Sequence, residues 1–387
     1  MGIGSHRTKT ILRRRMSAAA CAALVALTAA CGSTSSASDD DDAPLSADQT
    51  AAVAKAQAFV EPYLAPPTKI PLTEPLKAAP QPGRTMVFLQ CELSQCKGIG
   101  MGVQQASELV GWDFKTIPYQ STNPSTLAAA LDQALSYKPV AVALTSPPYA
   151  IWSQKVEAYR AAGVPLIPSF TGDVPIDDTI IANPASTAYA ELNGEILANW
   201  VIADSGAKGK VLSVSVNDFP YLAGTSSKFD STVESECPDC KVTKLNVGIP
   251  DVGSGSINGI IVSALRKDPS INYVVPVDAA FVAALPAQLS AAGLAGKVKV
   301  VGCCGDTTTE AGLATDQFAA ITGVNGFYAG FITVDAAARA AEGSAIPDNE
   351  GFLPVGLLVK GTTVEPADSF NYPVDFIDQF KTLWKLG

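Results

Sequence analysis

From Arg84 onward, short apolar runs alternate with longer stretches in which apolar positions recur every three or four residues. The first kind reads as strands and the second as amphipathic helices. "TMVFLQ" (85–90) is a strand and "GIGMGVQQASELVGW" (98–112) a helix. "DFKTIPY" (113–119) is a strand and "STLAAALDQALSY" (125–137) a helix. "VAVALT" (140–145), "AIWSQKVEAYRAAG" (150–163) and "VPLIPSF" (164–170) continue as strand, helix and strand. Apolar strands separated by helices imply parallel sheets covered on both faces, an α/β chain.

Upstream, "SADQTAAVAKAQAFVEPY" (46–63) reads as an Ala-rich helix. "APPTKIPLTEPLKAAPQPG" (65–83) lacks a period and reads as an extended connector on the surface. One pattern occurs twice. Residues 134–170 and 264–304 each carry a helix end, a Pro-marked turn, an apolar strand and a polar loop. Each then has a helix ending in Ala-Ala-Gly and a second apolar strand. We read them as corresponding units of two similarly built lobes. Ligands of open α/β sheets bind outside the carboxyl ends of the strands. Two facing lobes would bring Ser146 and Phe170 to one wall of a shared cleft, and Asp278, Cys303 and Cys304 to the other.

The amino terminus changes the picture of location. Basic residues including Arg13, Arg14 and Arg15 precede the apolar "AAACAALVALTAA" and then Cys31. This reads as a signal peptide over 1–30, too short for a membrane span. "LTAAC" resembles a lipobox with Thr28 where Leu is usual, so Cys31 is the expected lipidation site. "GSTSSASDDDD" after it reads as a tether over 31–45. The expected location is the outer face of a bacterial cytoplasmic membrane, held by an acyl anchor.

Removing residues 1–30 takes away five of the 27 basic residues and none of the 37 acidic ones. So acidic a chain is a poor partner for nucleic acid. The one histidine, His6, goes with the leader. Without histidine there is no Ser-His-Asp triad, no Cys-His pair and no His-ligated zinc. That removes most extracellular hydrolases. Ser-Lys and carboxylate-pair enzymes survive the filter without a motif to support them, and the chain is read as no enzyme, with no cofactor and no metal.

From about Arg84 to Lys360 the chain resembles the type I periplasmic binding proteins of the ribose-binding kind. "NPSTLAAALDQALSYKPVAVALTSP", "YRAAGVPLIPSF", "VVPVDAAFVAALPAQLSAAG" and "VKVVGCCGDTTTEAGLATDQFAAI" carry the resemblance. The tail "FNYPVDFIDQFKTLWKLG" is similar to the aromatic extension of sugar-type importer lipoproteins. The resemblance implies two doubly wound parallel-sheet lobes joined by a hinge, with an interlobe ligand cleft and an ABC permease as partner. It implies one lobe from 84–182 plus 325–353, and another from 183–324 plus 354–387, with 46–83 preceding both. The protein is expected to be a monomer.

The departures from that family bear on the ligand. Where relatives hold an Asp-Arg pair for sugar hydroxyls, this chain has Ser169 and Phe170. The relatives' arginine at the start of the helix after the next strand aligns near Ala223. Their polar residue becomes Val277 ahead of Asp278, their aspartate becomes Cys304, and their glutamine becomes Val324 beside Asn325. The candidate ligand residues are Gln95, Cys96, Ser146, Phe170, Asn183, Phe219, Tyr221, Asp278, Cys303, Cys304 and Asn325. Aromatic and apolar linings favour ligands with apolar faces. The expected ligand is a small neutral molecule with an apolar or aromatic face. A sugar, or a sensing rather than an importing role, is the alternative.

Beyond Cys31, six cysteines stand in close pairs: Cys91 and Cys96, Cys237 and Cys240, Cys303 and Cys304. Outside the cytoplasm such pairs suggest local disulfides. Adjacent cysteines would form a strained ring, and such strain clusters at ligand sites. Two rivals stay open: a bridge from Cys91 or Cys96 to 303 or 304 across the cleft, or a soft metal held by all four.

Overall fold

The computed structural model describes residues 44–121, 123–362 and 370–387. The expected leader, Cys31 and nearly all of the tether lie outside them. The strands are β1 (Thr85–Gln90), β2 (Asp113–Pro118), β3 (Ala141–Thr145), β4 (Leu166–Ser169), β5 (Lys210–Ser215), β6 (Lys241–Asn246), β7 (Tyr273–Pro276), β8 (Lys299–Cys303), β9 (Ala320–Val324) and β10 (Val355–Val359). The helices are α1 (Ala47–Leu64), α2 (Ser94–Leu109), α3 (Pro124–Ser136), α4 (Tyr149–Trp152), α5 (Val156–Ala162), α6 (Thr187–Asp204) and α7 (Pro220–Glu236). They continue as α8 (Ile249–Ser254), α9 (Ile257–Lys267), α10 (Leu285–Ala291), α11 (Thr307–Ala311), α12 (Gly326–Glu342) and α13 (Phe376–Leu383). No helix among the described residues is long and apolar enough to cross a membrane.

The strands form two sheets. The first has the order β2-β1-β3-β4 and is parallel throughout. The second has the order β10-β9-β8-β7-β5-β6, with only β10 antiparallel. Side chains alternate between faces with period two. In the first sheet Met86, Phe88, Ala141, Ala143 and Ile167 join one core, while Val87, Leu89, Val142, Leu144 and Leu166 join another. In the second sheet Val274, Val300 and Ile321 face one core, and Val275, Val301 and Ala320 the other. Both faces of the inner strands are covered, which is why those strands are nearly all apolar, whereas the edge strands β2 and β6 are polar and largely exposed.

The repeated pattern is structural. In 134–170 the strands β3 and β4 are neighbours, and in 264–304 the strands β7 and β8 are neighbours. Each copy has a 3₁₀ turn ahead of its last helix, at Ser153–Lys155 before α5 and at Ala280–Val282 before α10. The continuous helix expected at 150–163 is therefore broken into α4, that turn and α5.

Close helix pairs depend on glycine. A Cβ on Gly102 in α2 would lie 2.0 Å from the Phe327 carbonyl oxygen, and one on Gly330 in α12 would lie 2.3 Å from the Val103 nitrogen. A Cβ on Gly194 in α6 would meet the Thr225 carbonyl of α7 at 2.2 Å. These neighbours are backbone and cannot rotate away. Gly330→Ala is therefore expected to lower stability by about 1–3 kcal/mol, read as a drop of several degrees in the thermal midpoint. An unchanged midpoint would show that the α2–α12 contact is not close.

The Pro-rich connector is not the surface strap that its composition suggests. Ile70, Leu72 and Leu76 are buried in the main core. Leu76 N–H donates to the Leu383 carbonyl at 2.9 Å, and Asn349 Nδ2 to the Pro71 carbonyl at 2.7 Å. The connector thus lies against α12 and α13, whereas α1 packs on α6 and β10. Gln49 Nε2 donates to Asp239, and Lys55 pairs with Glu236, fastening α1 to the end of α7 and the turn beyond it. The chain ahead of β1 therefore passes from the helices of the second sheet to those of the first. The tail helix α13 stacks Phe376 and Phe380 on Phe331 of α12. It lies with the first sheet's helices, apart from the β10 strand with which the sequence reading grouped it.

Candidate functional site

Parallel strands expose their carboxyl ends on one edge of each sheet, and loops leaving those ends meet around a cavity of about 630 Å³. The first sheet contributes Gln95, Ser146 and Phe170, after β1, β3 and β4. The second contributes Phe219 and Tyr221 after β5, Asp278 and Phe281 after β7, Cys304 and Asp306 after β8, and Asn325 and Phe327 after β9.

Three of these residues turn into the cavity through unusual backbone. Ser146, Phe170 and Cys304 have φ of +77°, +54° and +59°. Non-glycine residues seldom adopt this region, and such conformations concentrate at ligand sites. Ser146 and Cys304 each continue the sheet by one hydrogen bond before turning, Ser146 N–H to Ser169 O and Cys304 N–H to Thr322 O, while Phe170 N–H donates to Pro184 O in the segment after β4. Phe170 and Cys304 occupy matching places in the repeated unit.

The polar groups are few. Asp278 is buried, and its Oδ1 accepts the Ala280 N–H at 2.9 Å. Burial first, and then the charge of Asp306, push its carboxyl up to about 8 against the hydrogen bonds that favour ionisation. The Tyr221 ring meets Phe170 edge-on at 5.1 Å. Its hydroxyl is buried without a partner among the described residues, and burial holds the phenol well above its usual range. Asn325 caps α12 by accepting the Tyr328 N–H, and its Nδ2 donates to Asn371 at 3.1 Å. Asp306 caps α11 by accepting the Thr309 N–H at 2.9 Å. Behind it, Glu310 accepts the Phe370 N–H at 3.0 Å, and burial pushes its carboxyl up to about 7. No lysine or arginine stands in the described lining.

Three expected residues lie elsewhere. Cys96 is buried in a disulfide with Cys91, which shapes the start of α2 and leaves Gln95 beside the cavity. Asn183 is buried away from the cavity. Its Nδ2 donates to Gly172 O at 2.6 Å and its Oδ1 accepts from Thr171, so it ties down the segment after β4. Cys303 shares the face of Val301 in β8 and packs in the α6–α7 core, fully buried. It is bonded to Cys304, and only Cys304 faces the cavity. The third pair is Cys237–Cys240. The cleft cysteines are thus paired within their own walls, with no bridge across. Among the described residues no His, Cys, Asp or Glu cluster is placed to hold a metal.

Sequence reasoning missed Phe281, Asp306, Phe327 and Phe370. The first three begin helical stretches directly after strand ends, a position that the carboxyl-end rule marks. Phe370 comes from the tail. Its ring lies over Gly323 and Gly356, which are cross-strand partners in β9 and β10. The absent side chains leave the room that it fills, and no local pattern announces this.

Known proteins agree with this architecture. A family model described as periplasmic binding protein domain matches residues 95–345. An ABC sugar transporter subunit from Rhodobacter sphaeroides superposes with a TM-score of 0.63 at 19% identity, covering 73% of this chain and 99% of that one. A 5-methylthioribose transporter solute-binding protein from Thermotoga lettingae, in complex with 5-methylthioribose, gives 0.64 at 14% identity, over 81% and 100%. A periplasmic ribose ABC transporter protein from Conexibacter woesei gives 0.59 at 18%, over 72% and 93%. No curated protein matches the sequence.

Proposed function

The chain belongs to the periplasmic binding protein domain family, and on that premise we propose that it captures one small molecule outside the cytoplasm and delivers it to an ABC importer. The observation that carries this reading is the cavity itself. Aromatic rings from both sides converge on it: Phe170, with Phe327 of α12 packed on α2, on the first sheet's side, and Phe219, Tyr221 and Phe281 on the second's. A molecule touching both walls binds a closed arrangement better than an open one and so draws them together. The rings and the Cys304 sulfur supply an apolar surface, and the lining offers no cation for an anionic group. The captured molecule therefore presents an apolar or aromatic face and carries no negative charge.

Native mass spectrometry of the purified protein, followed by calorimetry with the recovered molecule, tests capture. Phe219 is partly exposed and leads into α7. Phe219→Ala is expected to weaken binding about tenfold, the equivalent of ~1.4 kcal/mol of lost ring contact, with little change in stability. Equal affinity in this variant would take Phe219 out of the site. The reading includes an acyl anchor at Cys31, for which intact-mass analysis of membrane-extracted protein should show a lipid increment on an amino-terminal Cys31.

A further inference from the structure

We propose that the captured molecule carries a positively charged nitrogen, seated against the Asp278 carboxylate and the neighbouring Tyr221 and Phe170 rings. This rests on the capture reading above, and it replaces the sequence-based expectation of a neutral ligand.

The charge inventory leads to it. Among the described residues the cavity is lined by two carboxylates, Asp278 and Asp306, and by no basic side chain. Neither carboxylate takes part in an ion pair among the described residues. Asp306 is engaged as a helix cap. Asp278 is 4% exposed, and the groups bonded to it are the backbone N–H groups of Ala280 and Phe281. A buried carboxylate without a countercharge is costly, and a cation brought by the ligand supplies the missing partner.

A second observation is independent of charge. The Tyr221 hydroxyl is buried on the cavity wall and has no hydrogen-bond partner among the described residues. A phenolic oxygen can accept from an ammonium N–H. The Tyr221 ring, set edge-on to Phe170, also offers a π face, and cations are attracted to such faces most strongly where water is excluded. The groups that bear on Asp278 are Asp306 beyond β8 and Tyr221 of α7, with Tyr189 of α6 behind Tyr221. None of them supplies a cation. The chain's net charge of −10 adds a field that concentrates cations near the surface.

The state of Asp278 makes the idea measurable. Its carboxyl, pushed up to about 8, is protonated in the empty cavity at neutral pH. A bound cation favours the ionised form, so binding releases a proton. Affinity then rises with pH until Asp278 is already ionised in the empty protein.

The test uses the purified full-length protein and matched probes sharing one skeleton: phenethylamine with phenethyl alcohol, cyclohexylmethylamine with cyclohexylmethanol, and choline with its carbon isostere dimethylbutanol. Calorimetry should show the cationic member of at least one pair binding about tenfold or more tightly than its neutral partner. Asp278→Asn keeps an oxygen for the Ala280 N–H. It should reduce the cation to the level of its neutral partner. Choline, whose nitrogen does not titrate, should gain affinity between about pH 6 and about pH 8, with proton release seen as a dependence of heat on buffer. Neutral members binding as well as cations, or an unaffected cation in Asp278→Asn, would overturn the proposal and leave the capture reading standing. If no probe binds, native mass spectrometry after equilibration with a metabolite extract decides. A captured molecule with a basic or quaternary nitrogen supports the proposal, and one without overturns it. Capture of nothing would overturn the importer reading and this inference with it.

Discussion

Arg339→Met will destabilise the protein by about 3–5 kcal/mol, the range for removing one partner of a buried ion pair. Arg339 is 2% exposed in α12 and reaches three elements at once. Its Nε pairs with Asp335 in its own helix, and lies 3.7 Å from Glu350 in the crossing segment before β10. Its Nη2 donates to the Glu74 carbonyl of the connector at 2.6 Å. Asp335 in turn accepts the Trp384 indole N–H of the tail at 2.6 Å. Two carboxylates share one guanidinium here. Burial first pushes both carboxyls up, and the charge of Asp335 pushes Glu350 further. Without Arg339, both acids must either stay charged in an apolar core or hold protons there, and the connector loses a hydrogen bond. Equilibrium urea unfolding checks the loss, and limited proteolysis should show the tail released first. Replacing Asp335, Arg339 and Glu350 together by apolar residues should be far milder, because no charge is then stranded. A loss below about 1 kcal/mol for Arg339→Met would contradict this account.

The second large effect is on pH dependence. The empty protein will lose stability as pH rises from about 4 to about 8. Asp278 moves from an ordinary 3.8 to about 8 on folding, and Glu310 from 4.5 to about 7. The folded state therefore holds these protons more tightly than the unfolded chain. The Asp278 contribution is full below about pH 4 and gone above about pH 8, and that of Glu310 is gone above about pH 7. Each pH unit in that window is worth up to ~1.4 kcal/mol per group, so Asp278 alone accounts for several kcal/mol. The carboxyls of Asp177, Asp268 and Glu342 are held below their usual range by hydrogen bonds and act in the opposite sense. They are solvent-exposed and screened, and their effect falls below about pH 4. Urea unfolding at about pH 5 and about pH 8 should give a clearly lower midpoint at the higher value. Asp278→Asn combined with Glu310→Gln should shrink the difference and leave the part due to Asp230, Asp335 and Glu350, whose carboxyls burial also pushes up. Stability that rises over this window would show that the two carboxyls are solvated.

The inner strands were legible because burial on both faces leaves an apolar run that few other structures require, which the exposed edge strands β2 and β6 lack. Their carboxyl ends then pointed to Ser146, Phe170, Asp278 and Cys304 without any ligand motif. The assignment of Cys303 went wrong by one residue. Period-two alternation places it with Val301, and only the turn to positive φ at Cys304 redirects the chain. The start of α2 at Ser94, ahead of the expected helix, was hidden because its first turn carries a disulfide and polar residues rather than an apolar stripe. Ile70, Leu72 and Leu76 of the connector follow no period. They are buried by the aromatic tail far away in sequence, and a local pattern cannot report a long-range contact. Phe370 escaped for the same reason: its pocket is made by two glycines in separate strands.

Small-angle X-ray scattering, on the protein with and without the molecule recovered by native mass spectrometry, tests the central claim most directly. If that molecule is gripped between Phe170 on one wall and Tyr221 and Asp278 on the other, saturation must shift the population toward closure, and the radius of gyration falls. An identical profile at verified saturation would contradict capture between the two sheets.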